Sequence, residues 1–174
     1  KKHAVFNASL DEEKEEIVYK NYYHIGIAVD TEQGLIVPVL RDADKKSLLQ
    51  ISKEIDELAL KTRARKLGLE DMRGGTFTIS NQGGIGGKHF TPIINKPEVA
   101  ILGTGRAYEA PVVTKGKIST TLLMPVGLSY DHRLIDGAQA ARFIVDFARA
   151  MQQFSEADLS LRKAAKAGGK SKKK

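Results

Sequence analysis

The chain has 174 residues, 41% of them hydrophobic, and no cysteine; that is enough for one globular domain, and it excludes a disulfide framework, a thiol nucleophile of its own and a thiolate metal site. The formal charge of +7 is local, because residues 162–174 hold seven basic residues and no acid while 1–161 hold 21 of each sign. A neutral body over 1–161 and a basic, solvated, disordered tail over 162–174 are therefore expected, and with no aromatics interleaved in that tail no nucleic-acid partner is expected.

No apolar run approaches the ~18 residues of a membrane span and no signal-peptide pattern opens the chain, so no membrane association is expected. In chain order, Val5–Leu10 reads as extended, the acidic stretch 11–16 as a turn, and Ile17-Val18-Tyr19 as the return strand of a hairpin. Tyr22–Asp30 alternates like a strand, with His24 at its entry as a structural histidine. Leu35–Leu40 is the next strand, which Pro38 confines to an edge or a bulge. Ser47-Leu48-Leu49-Gln50 is a capping-box signature, and Leu48, Ile51, Ile55 and Leu58 behind it form the apolar stripe of a helix reaching about Lys66.

Thr76–Ser80 is a short β-branched and aromatic strand running into Asn81-Gln82-Gly83-Gly84-Ile85-Gly86-Gly87-Lys88-His89. Neither phosphate template fits that loop. A P-loop needs glycine where Gln82 stands and Ser or Thr where His89 stands, and GxGxxG fails at His89 and again at Tyr108. The glycines instead permit close backbone approach, to another strand or to a ligand; His89 reads as a surface residue. Pro97–Thr104 is a further strand, and Pro111–Thr114 and Ile118 straddle a turn leading into a long strand over Ser119–Ser129, with Leu122–Leu128 buried. Ala138 to about Phe154 is a helix with Ala140, Ile144, Phe147, Ala148 and Met151 on one face and an Arg142–Asp146 pair on another. Strands outnumber helices and the crossovers are irregular, which gives α+β with a mixed β-sheet flanked by helices.

The chemistry concentrates in Ser129-Tyr130-Asp131-His132-Arg133-Leu134-Ile135-Asp136-Gly137, where a histidine and a carboxylate sit four apart on a strand-to-helix turn. The plain alternative is that Asp131 caps the following helix and His132 is an ordinary histidine. As a metal site His132 and Asp136 lack an obvious third ligand, and Ser80 is not in the G-x-S-x-G setting of a serine hydrolase. A third arrangement uses His132 as general base toward a thiol carried by the substrate, whose ordinary pKa of ~8.5 is within reach of an imidazole, with Ser80 as hydroxyl donor to a tetrahedral oxyanion.

The nine-residue segment resembles the DHRxxDG motif of the dihydrolipoamide acyltransferases, the core components of 2-oxo acid dehydrogenase complexes, a form of the HxxxD pattern shared with chloramphenicol acetyltransferase. Ile25–Asp30 with Gly34–Val39, Gly74–Asn81, and Pro97–Gly103 are similar to three further blocks of that family in the right order, and the likeness runs over about residues 3–154. It implies a chloramphenicol-acetyltransferase-like mixed-sheet fold over 1–161, built as trimers with the active site between subunits and assembled into a hollow cubic or dodecahedral core. It implies acyl transfer between dihydrolipoamide and coenzyme A, with His132 as base, Ser80 of the neighbouring subunit steadying the oxyanion, Asp136 orienting and balancing charge, and no metal.

The glycine loop and Phe90–Asn95 look most like the pyruvate-type members, favouring acetyl over succinyl or branched-chain groups. Lipoamide is expected on a separate lipoyl domain, with the decarboxylase and dihydrolipoamide dehydrogenase components as partners, in a bacterial cytoplasm or a mitochondrial matrix. The family's catalytic domain starts several tens of residues earlier, so a chain beginning at Lys1 is expected to be truncated at its N-terminal side. A noncatalytic scaffold would be expected to lose the histidine, and a free chloramphenicol-acetyltransferase-like enzyme is disfavoured by the DHRxxDG and FTISN blocks.

Overall fold

The structure, a computed structural model, describes residues 2–155. The basic tail expected over 162–174 lies outside the described residues.

The chain opens with a 3-10 turn, Ala4–Asn7, where an extended stretch was expected; Phe6 is drawn inward and stacks on Phe143 at 4.3 Å between ring centroids. The expected hairpin follows as β1 (Ala8–Asp11) and β2 (Glu16–Tyr19), antiparallel with Ala8 opposite Tyr19. The two strands expected at 22–30 and 35–40 are each divided, into β3 (Ile25–Ile27) and β4 (Val29–Thr31), then β5 (Gly34–Ile36) and β6 (Val39–Leu40). The divisions fall at Ala28, whose N–H donates to Ile79 O, and at Pro38, which has no N–H and whose carbonyl accepts from Ile27. β4 and β5 pair as a separate hairpin.

Helix α1 (Leu48–Arg63) starts at the expected capping box: Ser47 Oγ accepts from Gln50 N and Gln50 Oε1 from Ser47 N. It ends three residues short of Lys66, because Arg65 turns left-handed at φ 57°. Leu48, expected in the apolar stripe, is 52% exposed; it stands at the first turn, while Ile51, Ile55 and Leu58 are half-buried on a helix that lies against β4 and β6.

β7 (Phe77–Asn81) and β8 (Ala100–Thr104) form the centre of a five-stranded sheet ordered β11-β8-β7-β3-β6. β7 runs parallel to β3 and β8, and the outer strands β6 and β11 (Val126–Tyr130) run antiparallel to their neighbours, so the sheet is mixed as expected. β6, with Pro38 just before it, is an edge strand.

The long strand expected over 119–129 is two strands in two sheets. β9 (Tyr108–Thr114) and β10 (Lys117–Leu123) make a two-stranded ribbon, and the chain leaves it at Met124-Pro125 to enter the main sheet as β11. Leu122, expected to be buried, is therefore 68% exposed. Helix α2 (Gly137–Gln153) covers one sheet face, its Phe143 and buried Ala140 packing with Phe6, Val99, Ala100 and Ile135. Asp146 pairs with Lys2, His3 and Arg149 rather than with Arg142, since the N-terminal segment lies against its side of the helix.

Candidate active site

β8 carries four consecutive buried residues, Ala100 to Gly103, and β11 is registered on it with Tyr130 opposite Ala100. The ladder extends one residue further, where Asp131 N donates to Val99 O at 2.8 Å. The chain then turns sharply: Leu134 N and Ile135 N both donate to Asp131 O, at 3.1 and 3.0 Å. Ile135 is fully buried and pins the far side of the turn; burying an isoleucine contributes roughly 1.5–3 kcal/mol.

Asp131 also locks the turn through its side chain. Its Oδ1 accepts from Arg133 N at 3.0 Å, and its carboxylate meets the Arg133 guanidinium with Nε–Oδ1 3.0 Å and Nη2–Oδ2 2.6 Å. The Arg133 side chain holds the Asp131 carboxyl below the usual carboxylate range. Arg133 Nη1 reaches on to Glu12 Oε1 at 3.0 Å, tying the tip of the β1–β2 hairpin to the turn. His132 is thus held at the apex, exposed, its ring centroid 5.7 Å from that of Tyr130.

The α2 cap belongs to Asp136, not to Asp131. Asp136 Oδ1 accepts from Gln139 N at 2.7 Å and Gln139 Oε1 accepts from Asp136 N at 3.0 Å, a capping box that engages the carboxylate at the positive end of the helix. His24 is structural as expected, its Nδ1 accepting from Asp42 N at 3.0 Å, and His89 is exposed as expected.

Ser80 is the penultimate residue of β7, only 9% exposed, and by strand alternation from Phe77, which packs with Phe143, it lies on the sheet face opposite α2. Beyond it the glycine loop is a backbone-packing device: Gly87 O accepts from Arg106 N at 2.6 Å, and a Cβ at Gly105 would overlap the Lys88 carbonyl. Asn81 Oδ1 caps the loop by accepting from Gly83 N at 2.9 Å.

The structure does not bring Ser80 and His132 together within one chain. Ser80 is level with Gly103, and Gly103 with Gly127, which places Ser80 two strands from β11 and five residues short of His132. At ~3.3 Å per residue and ~4.8 Å per strand, that is about 16 Å along the sheet and about 10 Å across it. His132 and Ser80 stand at opposite ends of the sheet.

Sequence reasoning passed over two features beside the turn. One is the Asp131–Arg133–Glu12 network, of which only the adjacent charges in the motif gave a sign. The other is Glu98, 5% exposed, whose carboxylate accepts from Thr78 Oγ1 at 2.6 Å. A charged residue directly before the apolar run Val99–Leu102 was the signal available for it. Glu98, Asp131 and Arg133 border one open cleft of about 560 Å³ between the β1–β2 hairpin and the turn. Among the described residues no group of three or more His, Asp or Glu side chains could hold a metal ion, and no helix is long and apolar enough to cross a membrane.

The chain matches the family described as 2-oxoacid dehydrogenases acyltransferase (catalytic domain) over residues 1–159. It is 54% identical over 138 residues, 79% of this chain and 32% of the relative, to the dihydrolipoyllysine-residue acetyltransferase component of the pyruvate dehydrogenase complex of Staphylococcus aureus. It is 51% identical over 154 residues, 88% of this chain and 28% of the relative, to the component of that name from Cupriavidus necator. The chain thus spans about a third of the length of these relatives.

Among solved structures, it superposes with a TM-score of 0.86 and 49% identity on the cubic core of a pyruvate dehydrogenase multienzyme complex, covering 91% of this chain and 65% of that one. It superposes with a TM-score of 0.83 and 48% identity on the dihydrolipoamide acetyltransferase of Azotobacter vinelandii, covering 94% and 64%. That protein was solved to investigate the role of a serine, a histidine and an asparagine in its catalytic mechanism. With the family matched over residues 1–159 and identities near one half, the chain belongs to the 2-oxoacid dehydrogenase acyltransferase family.

Proposed function

We propose that the chain transfers an acetyl group between coenzyme A and dihydrolipoamide, in active sites that pair His132 of one copy with Ser80 of another. The observation that carries this reading is the separation of the two residues within one chain. Proton transfer and oxyanion donation both need contacts near ~3 Å, and the sheet register holds the two side chains several times farther apart. Their spacing supports the pairing: 52 residues separate Ser80 from His132 and four separate His132 from Asp136, the same intervals as between the serine, histidine and asparagine studied in the Azotobacter enzyme.

In this reading His132 takes the proton from the attacking thiol. The sulfur forms a bond to the thioester carbonyl carbon, and the oxygen gathers negative charge that the Ser80 hydroxyl stabilises by donating to it. Collapse breaks the original C–S bond, and the departing thiolate recovers the proton from His132. A positioned base is worth about 10²–10⁴ in rate, and one oxyanion donor about 2.7–4 kcal/mol. The rigid turn around Asp131 and Arg133 supports the role of His132, because it leaves the imidazole exposed without leaving it free to wander. Asp136 would act through the turn, as cap of α2.

Self-association follows from the same reading. The β9–β10 ribbon exposes Ile118 and Leu122 at 78% and 68%, apolar area of the kind that copies of a chain cover in an assembly. We take the assembly to be trimers built into a larger core, served by lipoyl domains carrying the dihydrolipoamide and by the decarboxylase and dihydrolipoamide dehydrogenase components. Acetyl is favoured by the relatives that are acetyltransferase components, and rates with acetyl, succinyl and branched-chain thioesters measured side by side check it.

The test uses the full-length protein and acetyl transfer from acetyl-coenzyme A to free dihydrolipoamide. His132→Ala lowers kcat at least ~10²-fold and Ser80→Ala lowers it less. Co-expressing the two variants in equal amounts restores about a quarter of wild-type activity, because in a ring of identical interfaces about one site in four receives both intact residues. An unchanged rate for His132→Ala, or no restoration on mixing, sinks the shared-site mechanism.

A further inference from the structure

Thr78 and Glu98 form a buried polar pair where β7 and β8 begin to run together: Thr78 is fully buried, Glu98 is 5% exposed, and they meet at 2.6 Å. Two glycines on adjoining stretches make room for it. A Cβ at Gly26 on β3 would come within 2.5 Å of Thr78 Oγ1, and a Cβ at Gly75 would overlap the Glu98 carboxylate. The cations nearby are engaged elsewhere, Lys96 with Glu12 and Arg133 with Glu12 and Asp131. A carboxyl in such a place is costly unless well hydrogen-bonded, and it is pushed up to about 7 by burial, against the pull of its hydrogen bonds to Thr78 and Asn95.

The pair stands between the two halves of the proposed chemistry. Thr78 is two residues before Ser80 on β7. Val99, next to Glu98, accepts the Asp131 amide on which the His132 turn begins. The cleft that Glu98 borders presents Asp11, Glu12, Glu13 and Lys20 from the hairpin side, Lys96 before it, and Asp131 with Arg133 across it.

We propose that Glu98 is a positioning residue: by tying Thr78 of β7 to the entry of β8, it sets where one chain presents both its Ser80 and its His132 to neighbouring copies. Its kinetic consequence rests on the acetyltransferase reading; its mechanical consequence does not.

The experiment compares Glu98→Ala, Glu98→Gln and wild type in the full-length protein. Glutamine keeps an acceptor for the Thr78 hydroxyl, and alanine does not. With a misplacement of ~1 Å able to cost ~10²-fold, Glu98→Ala is expected to lower kcat at least ~10-fold with KM for both thiols within about twofold, and Glu98→Gln to restore most of it at pH 6–7. Amide hydrogen exchange is read in parallel. Glu98→Ala speeds exchange at the segments holding Ser80 and Asp131 together, and Glu98→Gln does not. Wild-type kcat in Glu98→Ala, or a uniform rise in exchange over the whole chain, overturns the proposal. If the wild-type protein itself transfers no acetyl group, the acetyltransferase reading fails, and the two exchange segments alone decide the role of Glu98.

Discussion

The buried Glu98 carboxyl makes stability depend on pH in a direction opposite to that of most carboxylates. Its pKa is raised from an ordinary 4.5 to about 7, chiefly by burial. Below pH 4.5 the group is protonated in both folded and unfolded chains, and its contribution to stability is fully present. As pH rises from about 4.5 toward 7, the unfolded chain gives up the proton while the folded chain keeps it, so stability falls; above about 7 the loss is complete and constant. At ~1.36 kcal/mol per pKa unit the shift corresponds to a loss of order 3 kcal/mol.

Glu98→Gln removes the titration and keeps the hydrogen bond to Thr78. Urea unfolding of both proteins at pH 5 and pH 8, at one fixed protein concentration since assembly contributes to apparent stability, isolates the effect as a difference of differences. The variant should gain on the wild type by about 2–3 kcal/mol between the two pH values. A gain below about 1 kcal/mol, or a gain toward low pH, would refute the reasoning that Glu98 is buried without charge compensation.

Other consequences follow from the turn and the glycine loop. Asp136→Ala removes the capping box of α2 and should cost about 1 kcal/mol by denaturant titration; Asp136→Asn should keep stability and acetyl-transfer rate alike, asparagine being an equally good cap. Gly105→Ala forces a methyl group onto the Lys88 carbonyl and should cost at least ~2 kcal/mol, lowering Tm by about 4–8 °C in a thermal scan. Arg133→Ala leaves Asp131 without its guanidinium; the carboxyl, now held low by Arg133, should move back up. The stability this pair adds above the ordinary carboxylate range and loses as pH falls should then vanish, which an acid titration of unfolding in variant and wild type would register as a weaker dependence at low pH.

Local chemistry was legible wherever neighbouring residues decide it. The Ser47–Gln50 capping box, the β1–β2 hairpin, the edge position of β6 after Pro38 and the extent of α2 all depend on contacts within a few residues. The misplaced strand boundaries and the misjudged burial of Leu122 share one cause. Ala28, Pro38 and Met124-Pro125 are places where the chain leaves one sheet for another, and an apolar run looks the same whether it stays in a sheet or changes sheets midway. Leu122 was expected to be buried because it continues the run of β11; it is exposed because β10 belongs to a ribbon paired only with β9.

The same division applies to the site. Composition and motif by themselves determined that the chain has no thiol of its own, that its charge excess is terminal, and that the turn at 129–137 combines a histidine with two carboxylates at fixed spacing, because these depend on which residues are present and in what order. Three things only the tertiary structure decided. Sheet register holds Ser80 and His132 apart. Helix geometry makes Asp136 the cap and gives Asp131 to Arg133. Burial sets Glu98, an ordinary acid before an apolar run, against Thr78 of β7. Each is a relation between residues distant in sequence, set by strand order and packing, which no local pattern encodes.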